Sequence, residues 1–172
     1  MKKMTSAYAN KLLKQLDEDK IFYLNKERTS CTYVAAVGEE PVIPDYDYTE
    51  TAKKIEAIDA EIVKIKHAVN LANVTEKVKV GENEYSIDAI LVRMAQLNKR
   101  KTSLDFMRKQ LPKERSDSQR YVSNRSNVPE YKYINYDLDL VKTEYERISE
   151  EIMEMQIALD KYNQTYEFEV DI

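Results

Sequence analysis

Glycine is nearly absent: only Gly38 and Gly81 occur in 172 residues. Two glycines exclude a Gly-rich phosphate cradle and a run of tight hairpins. Cysteine is a single residue, Cys31, which excludes an intrachain disulfide and any zinc site needing two thiolates. His67 is the only histidine, so no His-pair metal site is expected. Long apolar runs are also missing. The uncharged stretch from Thr29 to Gly38 has 10 residues, whereas about 20 apolar residues are needed to span a bilayer. The start, Met1 to Ser6, carries charge and runs into Asn10, Lys11 and Lys14 without an apolar core segment. Neither a signal peptide nor a membrane span is expected, and the expected location is cytoplasmic.

What is present is charge and helical periodicity. Charged residues make up 34% and the apolar set 42%, values of a folding chain, and the length suits one domain, residues 1–172. From Val141 the apolar positions are Val141, Tyr145, Ile148, Ile152, Met155, Leu159 and Tyr162, in alternating steps of 4 and 3, with Leu138 extending the row backwards. That is the a/d seam of a coiled coil. A second seam runs through Ile55, Ile58, Ile62, Ile65, Val69 and Ala72. A third helix has a wider stripe: Ile90, Leu97, Leu104 and Leu111, broadened by Leu91, Met94 and Met107. A fourth apolar face, Leu12, Leu13, Leu16, Ile21, Tyr23 and Leu24, marks the first helix.

The spacing predicts helices at about 6–28, 50–73, 87–111 and 138–165. Asp137 and Ser86 are N-cap residue types in the right places, Thr49 or Thr51 is placed to cap the second helix, Asn73 to stop it, and Pro112 ends the third. Rods with apolar stripes bury them best side by side. The expected fold is mainly α: an antiparallel four-helix, coiled-coil-like bundle. In it Ile148, Ile152 and Met155 share one seam with Ile58, Ile62 and Ile65. Alternation around Val78 and Val80, then Gly81-Glu82-Asn83, predicts a hairpin. Thr32–Val37, Tyr131 with Tyr133, and Tyr166–Ile172 are further β-prone scraps, so small β elements are expected at the bundle ends. The long segment at about 112–136 is expected to be a mobile loop.

Several short matches fall in a fixed order. Gly38-Glu39-Glu40-Pro41 follows the first helix, and Asn70 to Thr75 closes the second. A hairpin with Gly81 leads into Asp88-Ala89 and a Leu/Lys/Arg-rich helix, and Asn163-Gln164-Thr165 ends the last. In this layout the chain resembles a family of small bacterial helical proteins labelled septicolysin-like. The resemblance spans most of the chain and implies a helical fold. Its label implies a membrane-active, cytolysin-like role. The Tyr-rich arm and the C-terminal strand depart from the family pattern. No helix here is basic on one face and strongly apolar on the other, as surface-seeking helices are.

Residues for chemistry are sparse. His67 falls at an f position of its seam and should face solvent. Glu150, Glu151 and Glu154 crowd one helix, but a di-metal bundle needs Glu-x-x-His, and Lys64 stands where that glutamate would precede His67. Cys31, following a helix end, reads as a small packing residue rather than a nucleophile beside a base. No catalytic, metal or cofactor residue is expected, and the chain reads as a non-enzyme.

Charge is the informative feature. Arg93 to Arg125 carries a net charge of +7, whereas Asp137 to Ile172 carries −8. The basic run and the tyrosines after it define a possible interaction surface: Lys99, Arg100, Lys101, Arg108, Lys109, Arg115, Arg120, Tyr121, Arg125, Tyr131 and Tyr133. Two readings stand. Cations with interleaved aromatics suit a single-stranded nucleic acid. A basic helix beside an acidic one is charge complementarity within a helical hairpin or between subunits, and a pI near 5.3 favours this second reading. The function expected from the sequence is self-association or scaffolding of a protein partner. A homodimer is expected from the surplus apolar residues Leu91, Met94, Phe106 and Met107, and from the face Tyr166, Phe168, Val170 and Ile172.

Overall fold

The computed structural model describes residues 1–116 and 130–172. The element order is β1 (Lys2–Thr5), α1 (Ser6–Ser30), α2 (Tyr48–Thr75), β2 (Lys77–Val80), β3 (Asn83–Ser86), α3 (Ile87–Arg108), β4 (Lys113–Arg115), β5 (Tyr131–Tyr133), α4 (Leu138–Thr165) and β6 (Glu167–Val170). The fold is mainly helical, with small antiparallel strand pairs, as periodicity predicts. The pairs are β1 with β6, β2 with β3, and β4 with β5.

Helix ends differ from expectation by a few residues. Asp47, not Thr49 or Thr51, caps α2: its carboxylate accepts from the Glu50 amide at 2.7 Å. Asp137 caps α4, accepting from the amides of Asp139 and Leu140 at 2.9 and 3.2 Å. The first amides of a helix have no carbonyl partner within it, so each cap contributes about 1 kcal/mol. Ser86 holds the N-cap position of α3 without a side-chain bond. α3 stops at Arg108, short of Pro112, which leaves Leu111 outside the helix and exposed. α2 runs past Asn73 to Thr75. Thr32–Val37 forms no strand; it lies in an exposed connection.

The helices associate as two antiparallel pairs. Within α1 and α2, Lys20 meets Asp59 at 2.6 Å while Lys54 lies over the Tyr23 ring, so partners run in opposite directions. Within α3 and α4, Arg93 meets Glu151 at 2.9 Å and Lys101 lies over Tyr145. α1 meets α4, and α2 meets α3, only slightly. Two cores result. Ala9, Leu16, Ile65 and Ala72 form one, and Ile90, Leu97, Leu104, Val141, Ile148 and Met155 form the other. The expected shared seam between Ile148, Ile152, Met155 and Ile58, Ile62, Ile65 is therefore corrected: each row closes on its own hairpin partner. A seam of single apolar width is satisfied by one neighbouring helix, so the second row has nothing to gain from it.

The strands join these cores by exchange. β2 leaves the first helical pair and puts Val80 into the core of the second. β6 leaves the second pair and puts Phe168 and Val170 into the core of the first. There β6 pairs with β1, Lys2 opposite Val170 and Met4 opposite Phe168, while β2 pairs with β3, Val78 opposite Tyr85.

The exchange reveals an internal repeat. α2 and β2 recur as α4 and β6 with the same lengths, 90 residues later. The buried positions correspond: Thr51 with Val141, Ile65 with Met155, Ala72 with Tyr162, Val80 with Val170. The caps Asp47 and Asp137 correspond as well, as do Thr75 and Thr165, each of which donates back to the carbonyl four residues earlier. α1 and α3 match at a spacing of 81 residues, with Ala9 opposite Ile90 and Leu16 opposite Leu97, all buried. Each repeat is thus completed by the last strand of the other.

Two separate cores make a quantitative prediction. Ile65 is 0% and Met155 1% exposed. Ile65→Ala and Met155→Ala should each cost about 2–5 kcal/mol in denaturant unfolding. The double variant should lose the two amounts together within about 0.5 kcal/mol, because the sites share no packing partner. A coupling well beyond that would put both residues in one seam.

Candidate interaction surface on the second helical pair

α3 and α4 pack with the basic helix against the acidic one, so part of the charge complementarity is internal. Arg93 donates to Glu151 from both Nε and Nη2, at 3.0 and 2.9 Å. Arg147 bridges Glu144 and Glu151 along α4 at 2.8 and 3.0 Å. The Arg147 hydrogen bond holds the Glu144 carboxyl below the usual carboxylate range, and the same bond raises the guanidinium.

The candidate residues divide into three groups. Lys99 and Arg100 stand exposed on α3. Lys101, Arg108 and Lys109 are engaged within the pair. The Arg108 guanidinium lies 4.0 Å from the Tyr145 ring centroid, with Lys101 at 5.3 Å on the same ring. A guanidinium over an aromatic face is attracted by the ring quadrupole. Arg108 also pairs with Asp105 at 2.7 Å, and Lys109 pairs with the other oxygen of that carboxylate.

The third group sits on the strand pair β4–β5, where Lys113 faces Tyr133 and Arg115 faces Tyr131 across the ladder. The Lys113 ammonium lies 4.1 Å from the Tyr131 ring centroid and 5.6 Å from that of Tyr133. The Tyr136 hydroxyl donates to the Met107 carbonyl at 2.7 Å, tying the exit of the strand pair to the end of α3. The segment expected to be a mobile loop at 112–136 is therefore paired strand at 113–115 and 131–133. Arg120, Tyr121 and Arg125 lie outside the described residues.

The other residues weighed from the sequence do not converge. His67 is exposed on α2, as its f position requires, and its side chain has no hydrogen bond among the described residues. Cys31 is exposed just past α1 rather than packed. Glu150 and Glu154 face solvent, while Glu151 is committed to two arginines. Among the described residues no group of three or more His, Cys, Asp or Glu gathers in one place, and no helix is long and apolar enough to cross a membrane.

The terminal strand, too, differs from its sequence reading. Phe168 and Val170 are buried within the chain and Tyr166 is partly buried, so this face does not motivate a dimer. Met94 and Met107 pack against the α3–α4 core. Leu91 and Phe106 remain exposed.

No family model and no curated protein matches the chain. A solved structure does. The crystal structure of a functionally unknown conserved protein from Corynebacterium diphtheriae matches 98% of this chain and 100% of its own, with a TM-score of 0.61. The two chains are 14% identical, so the likeness shows a shared fold.

The contacts at Asp105 set its titration. Hydrogen bonds from Lys109 and Arg108 hold its carboxyl below the ordinary 3.8. The folded form binds this proton less readily than the unfolded one, so the contribution to stability is present above that value and fades as pH falls through the lower folded one. A carboxyl-carbon NMR titration should place the Asp105 midpoint below 3.8, and Arg108→Gln should move it upward. An unshifted Asp105 would mean that these pairs do not persist in solution.

Proposed function

We propose that the chain is a non-enzymatic scaffold that self-associates through the outer faces of its helical hairpins. One observation carries this reading. Each helix pair closes only one seam, and large apolar side chains are left outside it. On α2, Val63, Leu71 and Val74 are 66%, 56% and 61% exposed and fall along one face at helical spacing. At the repeat position of Val63, Met153 of α4 is exposed as well, with Ile157 one turn further on. Large apolar side chains left exposed along one helix face are a mark of protein contact. Closed two-fold association is the commonest way to cover it.

A second reading rests on a different observation, the exposed ladder of Lys113, Arg115, Tyr131 and Tyr133 on β4–β5. Cations and flat rings on one ribbon suit single-stranded nucleic acid. The engagement of Arg93, Arg108 and Lys109 with acidic neighbours leaves fewer cations for phosphates, which is why self-association is preferred.

Sedimentation velocity at micromolar protein tests the first reading. The expected result is a dimer that Val63→Lys together with Leu71→Lys converts to a monomer of 20.2 kDa. Both positions are exposed, so the substitutions leave the cores intact. A wild-type monomer at low and moderate salt alike would overturn the proposal. Salt-sensitive binding of an oligonucleotide, lost on Lys113→Gln with Arg115→Gln, would support the second reading instead.

A further inference from the structure

The two repeats are not equal, and the difference marks a site. Between β2 and the last turns of α4 lies a cleft of about 440 Å³, a size that suits a small organic molecule. Its walls include Val78, Tyr162 and Tyr166, and its rim carries Lys77, Lys79 and Lys161. The Tyr162 and Tyr166 rings are stacked, 4.9 Å apart and inclined by 13°.

Tyr162 is 5% exposed, and its hydroxyl is buried without a hydrogen-bond partner. Less than 1 Å² of that oxygen is open to water, so it is the ring of Tyr162, not its hydroxyl, that faces the cleft. Burial, followed by the nearby Tyr166 and Glu76, pushes this hydroxyl up to about 12, so it stays protonated and puts no charge beside the cleft.

The other repeat shows that the fold does not require these groups. At the position of Tyr162 it has Ala72, and at those of Lys77 and Lys79 it has Glu167 and Glu169. None of Lys77, Lys79 and Lys161 is paired with a carboxylate among the described residues, whereas Glu169 pairs with Lys3 at 3.9 Å. Two carboxylates lie close: Glu76, which raises the Tyr166 hydroxyl, and Glu84, opposite Lys79 across the hairpin. Three ammonium groups outnumber them.

We propose that this cleft binds a small planar organic acid. The flat apolar body lies against the tyrosine pair and Val78. The carboxylate is held by the rim lysines. The proposal does not rest on the self-association assigned above.

Titration of the full chain with 2-naphthoate and with its neutral analogue 2-naphthamide, followed by ligand-detected NMR, tests the proposal. Saturable binding of naphthoate is expected, with naphthamide about tenfold weaker or more. Lys77→Gln with Lys161→Gln should weaken naphthoate about tenfold and flatten its salt dependence. Tyr162→Phe keeps the stacked ring and removes only the inward hydroxyl; it should leave naphthoate binding within about twofold, with a thermal midpoint equal to or above that of the wild type, since an unpaired group has been removed. Absence of saturable binding at millimolar naphthoate, equal binding of naphthamide, or an affinity of the Lys77→Gln, Lys161→Gln variant within about twofold of the wild type would overturn the proposal.

Discussion

The structure depends on an exchange of two short strands. Neither helical pair has a complete core of its own: the first needs Phe168 and Val170 from β6, and the second needs Val80 from β2. A two-helix hairpin buries one seam and leaves the flanking apolar groups wet. A strand laid along that seam removes more apolar area from water, at about 25 cal/mol per Å². Because each strand comes from the opposite repeat, the completion of one core is linked through the backbone to the completion of the other. A third small cluster, Ile87, Leu159 and Tyr162, with Tyr166 and Val78 packed on it, lies where α3 begins and α4 ends.

Much of this was legible in the residues, and the limit of legibility is instructive. The apolar rows located all four helices to within three residues at either end, because apolar positions recurring at helical spacing over such lengths fit no other secondary structure. Gly81 located the β2–β3 turn, where the backbone takes a positive φ of 59°. Which row faces which was not legible: periodicity specifies that a face is buried and says nothing of its partner. The repeat was nonetheless present in those rows. Ile58 and Ile62 stand 90 residues before Ile148 and Ile152, and Asp47, Asn73 and Thr75 stand 90 residues before Asp137, Asn163 and Thr165. Aligning the two seams against each other would have exposed it, and with it the equivalence of β2 and β6.

The candidate surfaces follow the same division. The charge asymmetry between the third and fourth helices was visible in the sequence, and the Arg93–Glu151 pair accounts for part of it within one chain. The Tyr162 cleft was not visible, since its lysines come from two segments about 80 residues apart and Tyr162 reads simply as one more d position. Only the comparison of repeats separates what the fold needs from what one half adds. Ala72 serves the packing role of Tyr162 with no polar atom to satisfy. The hydroxyl and the basic rim are therefore features of one repeat alone, while exposed Val63 and Met153 are features of both.

Removal of β6, by ending the chain after Thr165, followed by hydrogen exchange, tests the exchange of strands most directly. Loss of a packed strand lowers the local opening free energy of whatever core it completed. The amides around Ala9–Leu16 and Ile65–Ala72 are predicted to lose protection, although they lie far from the cut in sequence, while those around Leu97–Leu104 and Val141–Ile148 retain it. Loss confined to the end of α4, with the first helical pair as protected as before, would contradict the account.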